Sequence, residues 1–465
     1  MAKSKAKSVL KAKTDAELLS YIINVTPDLK ENIDLPVQGQ SIEPIGKIII
    51  NNARYRNAFI NTVNMIGLTV IKRNGWTNPW DFTKRGTLRF GQQIRELILD
   101  LCNVYDYNTN FDNKTKFLET EVPNLFNYIH EINFQKFYKT TTSDAQMAMA
   151  FTEEGNLFAF IEEIISMLYE SLSYDTYLVD KYMLCRRILD GTMTPYQIAN
   201  YDTIDARKRV SAIKNVSNKM TFRSPNYNPA GLRRATSFDD QILIVNTEFE
   251  ADFTTEVLAT SFFRDEADMR SRLVLIDSFS EHDDARLKEL LLTAYVPFTE
   301  EELAQLKDIP AVLISKEWFM DYDYALDNES GMKQTEFYNP QTLENNHFLH
   351  AWRVFSTSPF ENGVVFGKVA PAVKSVSVSP ANSSATAGIP VQLTALVETE
   401  GFANKAVVWT VVNGSKGGVT VNQNGLVNIP AGYTPTGETP ENAVKIKATS
   451  VFDKTKSAEA SITVL

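Results

Sequence analysis

The sequence is short of the residues on which most catalytic chemistry relies. Its 465 residues include two cysteines and four histidines. Cys102 and Cys185 lie in apolar or helical contexts and read as buried free thiols, which excludes a disulfide framework and a zinc site built on cysteine. No uninterrupted apolar run approaches the roughly 18 residues that a bilayer span requires. The N-terminus lacks the apolar core and cleavage motif of a secretory signal. The expectation is therefore a chain made and folded in a cytoplasm, with no membrane partner. Positive charge is also in deficit. Lys and Arg number 47 against 57 Asp and Glu, for a net charge of -10 and a pI of about 5.2. That balance excludes a broad nucleic-acid-coating face, because neutralising phosphates takes clustered Lys and Arg. One local exception opens the chain, where Lys3, Lys5, Lys7, Lys11 and Lys13 occur with no acid among residues 1–13. Such a run is either a solvated tail or an arm that touches an acidic partner.

What the chain does have is apolar and aromatic bulk. It is 43% hydrophobic, with 27 Phe, 18 Tyr and 5 Trp. That is enough for two or three domains with large cores and no staples. Residues 1–45 form a lead-in, with a short helical stretch near Asp15–Ile23. Pro27, Pro36 and Pro44 favour an extended arm. Three- and four-residue apolar spacing predicts a helix from Lys47 to Ile66, which Gly67 stops. The strand-like Leu68–Lys72, a turn-rich stretch to Gly86 and strand-like residues from Leu88 to Leu97 describe a long hairpin over residues 67–100. Its arms would reach roughly 20–25 Å. Trp76, Trp80 and Phe82, with Lys84 and Arg85, sit in its tip and cannot all be buried on its own stem. They are read as an intersubunit contact, with the core of their own subunit as the alternative.

Phe117–Tyr138 reads as strand-rich, and residues 151–189 carry the strongest helical pattern. Even with a break near Ser171–Asp175, about 30 residues would make a rod of about 45 Å. Helices and strands alternate from Asp202 to Pro371, with buried-strand runs at Gln241–Asn246, Leu273–Asp277 and Ala311–Ser315 and a helix over Ala285–Lys307. This is an α+β pattern. After Pro371 the composition changes: residues 372–465 have no Arg, Cys or His and a single Trp, Trp409. Six or seven short alternating runs in that space describe an all-β sandwich, with Trp409 in its core.

Motifs for catalysis and metal binding are weak. Ser280, His282 and Asp283 are adjacent in sequence, but a triad is a matter of geometry, and the segment reads as a solvated loop. His347 and His350 fall on opposite faces of a predicted strand. Asp321, Asp323 and Asp327 lack the sixth-position glycine of a calcium loop, where Leu326 stands. Residues 414–418 lack the Gly-Lys-Ser/Thr ending of a phosphate loop. The expectation is a protein that is not an enzyme and holds no cofactor or metal.

Two resemblances give these elements a setting. Val376-Ser-Val-Ser-Pro380, Gln392-Leu-Thr-Ala395, Val408-Trp409 and Gly425-Leu-Val427 resemble the bacterial immunoglobulin-like group 2 family. Ile66-Gly-Leu-Thr-Val-Ile71, Gly91-Gln-Gln-Ile-Arg-Glu96, Lys316-Glu-Trp-Phe-Met320 and His350-Ala-Trp-Arg-Val-Phe355 occur in the order seen in major head proteins of short-tailed phages of the phi29 kind. This second resemblance implies a Hong Kong 97-type capsid fold, with an extended hairpin loop, a long spine helix and peripheral and axial domains. It maps residues 67–100 to the extended loop and 151–189 to the spine helix within a core of 46–370, and the group 2 domain to 371–465. It implies a structural protein of the virion that self-assembles, as pentamers and hexamers, into an icosahedral or prolate head around double-stranded DNA. A separate scaffold protein, a portal, DNA on the inner face and host-surface glycans are the partners expected. The isopeptide crosslink of some such capsids does not carry over. The alternatives are a surface adhesin, which calls for a secretion signal, or a carbohydrate-active or carbohydrate-binding protein.

Overall fold

The structure, a computed structural model, describes residues 14–37, 40–59, 78–89, 92–99, 101–102, 125–152, 156–256, 273–326, 332–412, 418–433 and 443–464. The organising element is a single α-helix, Asn156–Leu189, 34 residues long and hence about 50 Å. No break occurs at Ser171–Asp175. Hydroxyls there turn back onto the helix instead: Ser171 Oγ donates to Met167 O at 2.6 Å and Thr176 Oγ1 to Leu172 O at 2.7 Å. The Asp175 carboxylate is held by Arg286 and the Tyr138 hydroxyl, so neither polar residue forces the chain out of the helix.

Two sheets flank this helix. The first runs in the order Thr194–Gln197, Gly363–Gly367, Ala311–Ser315, Gln241–Asn246, Leu273–Ile276. Its central strands are buried on both faces, which is why they read as unbroken apolar runs. Leu184, Cys185 and Ile188 of the long helix pack on one face, together with Trp80, Phe279 and Leu306. Ile213, Val216 and Met220 of the helix Ala206–Met220 cover the other. In the second sheet, the eleven-residue strand Glu344–Val354 pairs with Phe134–Ser143, Met332–Asn339 and Asp321–Tyr324, and Lys84–Leu88 joins the last in parallel. Its inner face sets Phe134, Leu349 and Ala351 against Leu168, Leu172 and Val179 of the same helix.

Several expectations are corrected. The helical stretch expected near Asp15–Ile23 forms as the helix Asp15–Val25, but the chain after it is not extended at Pro27. Helices Asp15–Val25 and Pro27–Lys30 bury Leu18, Leu19, Ile22, Ile23 and Leu29 against Met147, Phe151 and Leu157. Pro27 starts a helix here, where its missing N–H would have had no partner. The lysine-bearing residues 1–13 lie outside the described residues. The helix expected over Ala285–Lys307 is two, Asp284–Leu291 and Glu300–Lys307. Leu292 takes a left-handed φ of 50° and ends the first, and Thr299 caps the second. Cys185 is buried as expected, but Cys102 is exposed, and both thiols are free.

The C-terminal residues are all strand. Sheets Asn382–Ala385/Ser457–Val464/Ala443–Ser450/Val407–Val411 and Ala372–Ser379/Thr394–Glu400 enclose Leu393, Val427, Val444, Ile446 and Ile462, with Trp409 half-buried against them. The turn Gly401–Lys405 packs this region on the rest, with Ala403 and Asn404 against Gly191. Phe402, at a φ of 63°, is 6% exposed and sits in the cluster of the long helix and first sheet, with its ring against Gly367. Gly401 beside it has no room for a Cβ, which would lie 2.5 Å from Ala370 O. Phe402→Ala is expected to cost about 3–5 kcal/mol of the anchoring. It should expose Lys368 and Lys374 to trypsin at concentrations that leave the parent chain intact.

Candidate assembly surfaces

The aromatic residues placed in the hairpin tip do not project. Trp80 is fully buried. Its indole N–H donates to Leu275 O at 3.2 Å, its ring meets Tyr177 edge-on at 5.6 Å and Phe319 at 5.8 Å, and Phe82 packs beside it. Lys84 pairs with Asp81 at 2.9 Å, while Arg85 donates to Lys316 O and Phe319 O. The expectation that Trp80 and Phe82 face a neighbour is therefore corrected. Strand Lys84–Leu88 runs parallel to Asp321–Tyr324, not antiparallel to a return arm, and this pairing carries the Trp80 segment into its own core. Trp76 and the arm Leu68–Lys72 lie outside the described residues.

A different pair of strands stands out from the body. Ile94–Leu99 pairs antiparallel with Leu125–His130 in a two-stranded ribbon, with Leu97 opposite Asn127 and Leu99 opposite Leu125. One face is rooted in the subunit. His130 is buried, its Nδ1 2.7 Å from Ser356 Oγ and its Nε2 3.2 Å from Glu96 Oε2, and Phe126 meets Phe360 edge-on. The other face carries Leu97 at 59%, Leu99 at 61%, Leu125 at 59% and Ile129 at 42% exposure. Among the described residues the two strands have no third partner over which to bury such a face. The strand character of both segments was legible in the sequence; their alternating burial and their pairing across residues 100–124 were not.

A second uncovered surface lies on the outer face of the second sheet. Phe137 and Phe337, each 61% exposed, come from the strands on either side of Glu344–Val354. Between them, Phe348 and His350 lie within 6.3 Å of each other, and Phe137 lies 5.9 Å from Phe348. Lys139 reaches over the Phe348 ring at 5.8 Å. His347, on the opposite face, is buried, and burial pushes its pKa down to about 4.

Beneath the Trp80 segment lies a buried carboxyl pair. Asp180 of the long helix and Asp321 are both buried and close enough to interact, with the Thr83 hydroxyl donating to Asp180 at 3.0 Å and Ser356 N donating to Asp321 at 3.4 Å. Burial raises both pKa values, and the proximity of Asp321 raises that of Asp180 further; Asp321 is pushed up to about 7. Arg353, ion-paired to Asp323, is the cation facing them. An acid held protonated in the fold but ionised when unfolded takes up a proton on folding. Its contribution therefore falls as pH rises from the ordinary carboxylate range to about 7, and is flat above. Asp180→Asn keeps the size and polarity of the side chain and removes its titration. We expect it to match the parent chain near pH 4, and to exceed it in melting temperature at pH 8 in scans of unassembled subunits. An unchanged difference across that range would contradict the assignment.

The weak chemical motifs have structural employment. His282 stacks on Phe298 at 4.4 Å and Asp283 caps the following helix. Asp321 and Asp323 lie on a strand, and Asp327 is outside the described residues. Among the described residues no group of three or more His, Cys, Asp or Glu could hold a metal ion, and no helix is long and apolar enough to cross a membrane.

Comparison with known proteins gives two family matches. The phi29-like phage major capsid protein family matches residues 23–367, and the bacterial Ig-like domain (group 2) family matches residues 372–461. The chain is 28% identical over 448 residues to the major capsid protein of Bacillus phage B103, covering 93% of this chain and 89% of that one. It is 28% identical over 416 residues to that of Bacillus phage PZA, covering 88% and 84%. Solved structures that share features with it include the capsid of Staphylococcus phage Andhra, at a TM-score of 0.48 and 12% identity over 65% of this chain and 87% of that one.

Proposed function

The chain belongs to the phi29-like phage major capsid protein family, with an α+β core of Hong Kong 97 type and an all-strand group 2 immunoglobulin-like region after it, and we propose how its copies hold together. It is a phage major capsid protein, and its place is the virion shell. In our reading the extended loop includes the ribbon of Ile94–Leu99 and Leu125–His130, and its Leu97, Leu99, Leu125 and Ile129 face lies on the Phe137–Phe348–Phe337 face of the next copy. The observation that carries this is the ribbon's apolar face, which the described residues of its own subunit leave exposed. Two different patches that fit one another make a heterologous contact, and such contacts close into rings and shells. Completing the burial of four half-exposed aliphatic side chains contributes about 1 kcal/mol each. One such contact is weak, and a shell in which every copy makes several at once is not.

The finer parts of the proposal follow from that role. The helix Asn156–Leu189 is the spine, residues up to about 370 form the shell core, and residues 371–465 decorate or brace the outer surface, where weak adhesion to glycans fits such a module. Assembly in the host cytoplasm, a separate scaffold protein, a portal and enclosed double-stranded DNA complete it, with no enzymatic activity. Electron microscopy of the chain co-expressed with a phage scaffold tests the reading. Uniform shells are expected; persistent monomers with hydrolase activity would overturn it.

A further inference from the structure

Residues 206–238 contain eight Lys or Arg and no Asp or Glu. Removing these eight from the chain's 47 basic residues leaves 39 against 57 acidic ones, a charge of -18 over the remainder. The fold fixes this charge outward. Helix Ala206–Met220 buries Ile213, Val216 and Met220 on the first sheet, so its other side faces away. The loop after it folds back through the Ser224–Arg234 bridge and through Thr236 N donating to Met220 O at 2.8 Å. Some of its cations are spoken for within the subunit: Arg234 pairs with Glu361, and Arg209 stacks on Tyr201. Lys208, Lys219 and Arg223 are exposed, and none is ion-paired among the described residues. Lys208 and Lys219 are 11 residues apart, three helical turns to within about 20°, so they share one face. They stand roughly 16 Å apart along the axis, the span of about five phosphates on one DNA strand.

We infer that this acid-free segment is a phosphate-contacting surface for double-stranded DNA, an inference that rests on the shell function above. The rest of the chain carries a net -18, so this segment is a locally basic surface on an acidic subunit and can hold a duplex without coating the protein. Contacts of this kind carry no sequence information and weaken steeply with salt, because each neutralised phosphate releases counterions.

The test is fluorescence anisotropy of a labelled duplex of about 30 base pairs with full-length unassembled subunits, from about 50 to 200 mM NaCl. Combining Lys208→Gln, Lys219→Gln and Arg223→Gln should lower the slope of log affinity against log salt by about 0.9 for each phosphate that is no longer neutralised. Phe222→Ala, which removes an exposed ring from the same loop and no charge, should leave the slope where it was. An unchanged slope in the triple variant overturns the inference. So does disappearance of all salt dependence on replacing the five N-terminal lysines alone. If the triple variant keeps its slope but no longer forms shells with scaffold, the surface is a contact between copies and the inference is wrong. Failure of the parent chain itself to form shells is a separate result, and it counts against the shell reading.

Discussion

Replacing Leu97 and Leu99 together with aspartate is expected to abolish shell formation and leave a folded subunit. Both side chains are mostly exposed in the single chain, so the change removes little of that chain's own packing. Surface changes of this kind usually alter stability by less than about 0.5 kcal/mol. In a shell the same positions would bring two carboxylates into an apolar contact, where an unpaired buried charge costs several kcal/mol. Every copy would carry that cost, so the effect multiplies across the lattice. Sedimentation and negative-stain microscopy of the variant with scaffold should show monomers that melt like the parent chain. Normal shells from this variant would mean that the ribbon face is not a contact.

The opposite behaviour is expected at Trp80. Trp80→Ala should destabilise the isolated subunit by about 3–5 kcal/mol, the usual range for emptying a large buried aromatic site. The indole fills the space between Tyr177, Phe319 and Phe82 and hydrogen-bonds to the first sheet at Leu275 O. Urea denaturation of unassembled subunits reads this directly as a lowered midpoint. Should the midpoint stay put while shells fail, Trp80 would be a contact residue after all. The pair of variants separates the two ways in which assembly can fail, through the fold of each copy or through the surface between copies.

The difference between these two sites shows what could be read from the sequence. Ala311–Ser315 and Gln241–Asn246 were legible because a strand buried on both faces is apolar at every position. The long helix was legible from its spacing, and the sandwich from alternation and composition. Trp80 was misplaced because turn-forming neighbours look the same whether a loop is in solvent or pressed into a core. Only the parallel register of Lys84 to Leu88 on Asp321 to Tyr324 decides that, and its partner is more than 200 residues away. The ribbon segments read as strands, but nothing local says that Leu99 meets Leu125. The Phe137–Phe348–Phe337 face joins the hairpin of Met332–Asn339 and Glu344–Val354 to the distant strand Phe134–Ser143, and the Asp180–Asp321 pair joins a helix and a strand. The basic surface over residues 206–238 was open to inspection, since a window without a single acid in an acidic chain needs only counting. The whole-chain balance hid it.

The most direct measurement is a cryo-electron microscopy map of the assembled shell at side-chain resolution. Density from the Phe137, Phe348 and Phe337 face of an adjacent copy is predicted over Leu97, Leu99, Leu125 and Ile129. Finding those four side chains in solvent, or folded onto their own subunit, would contradict the account.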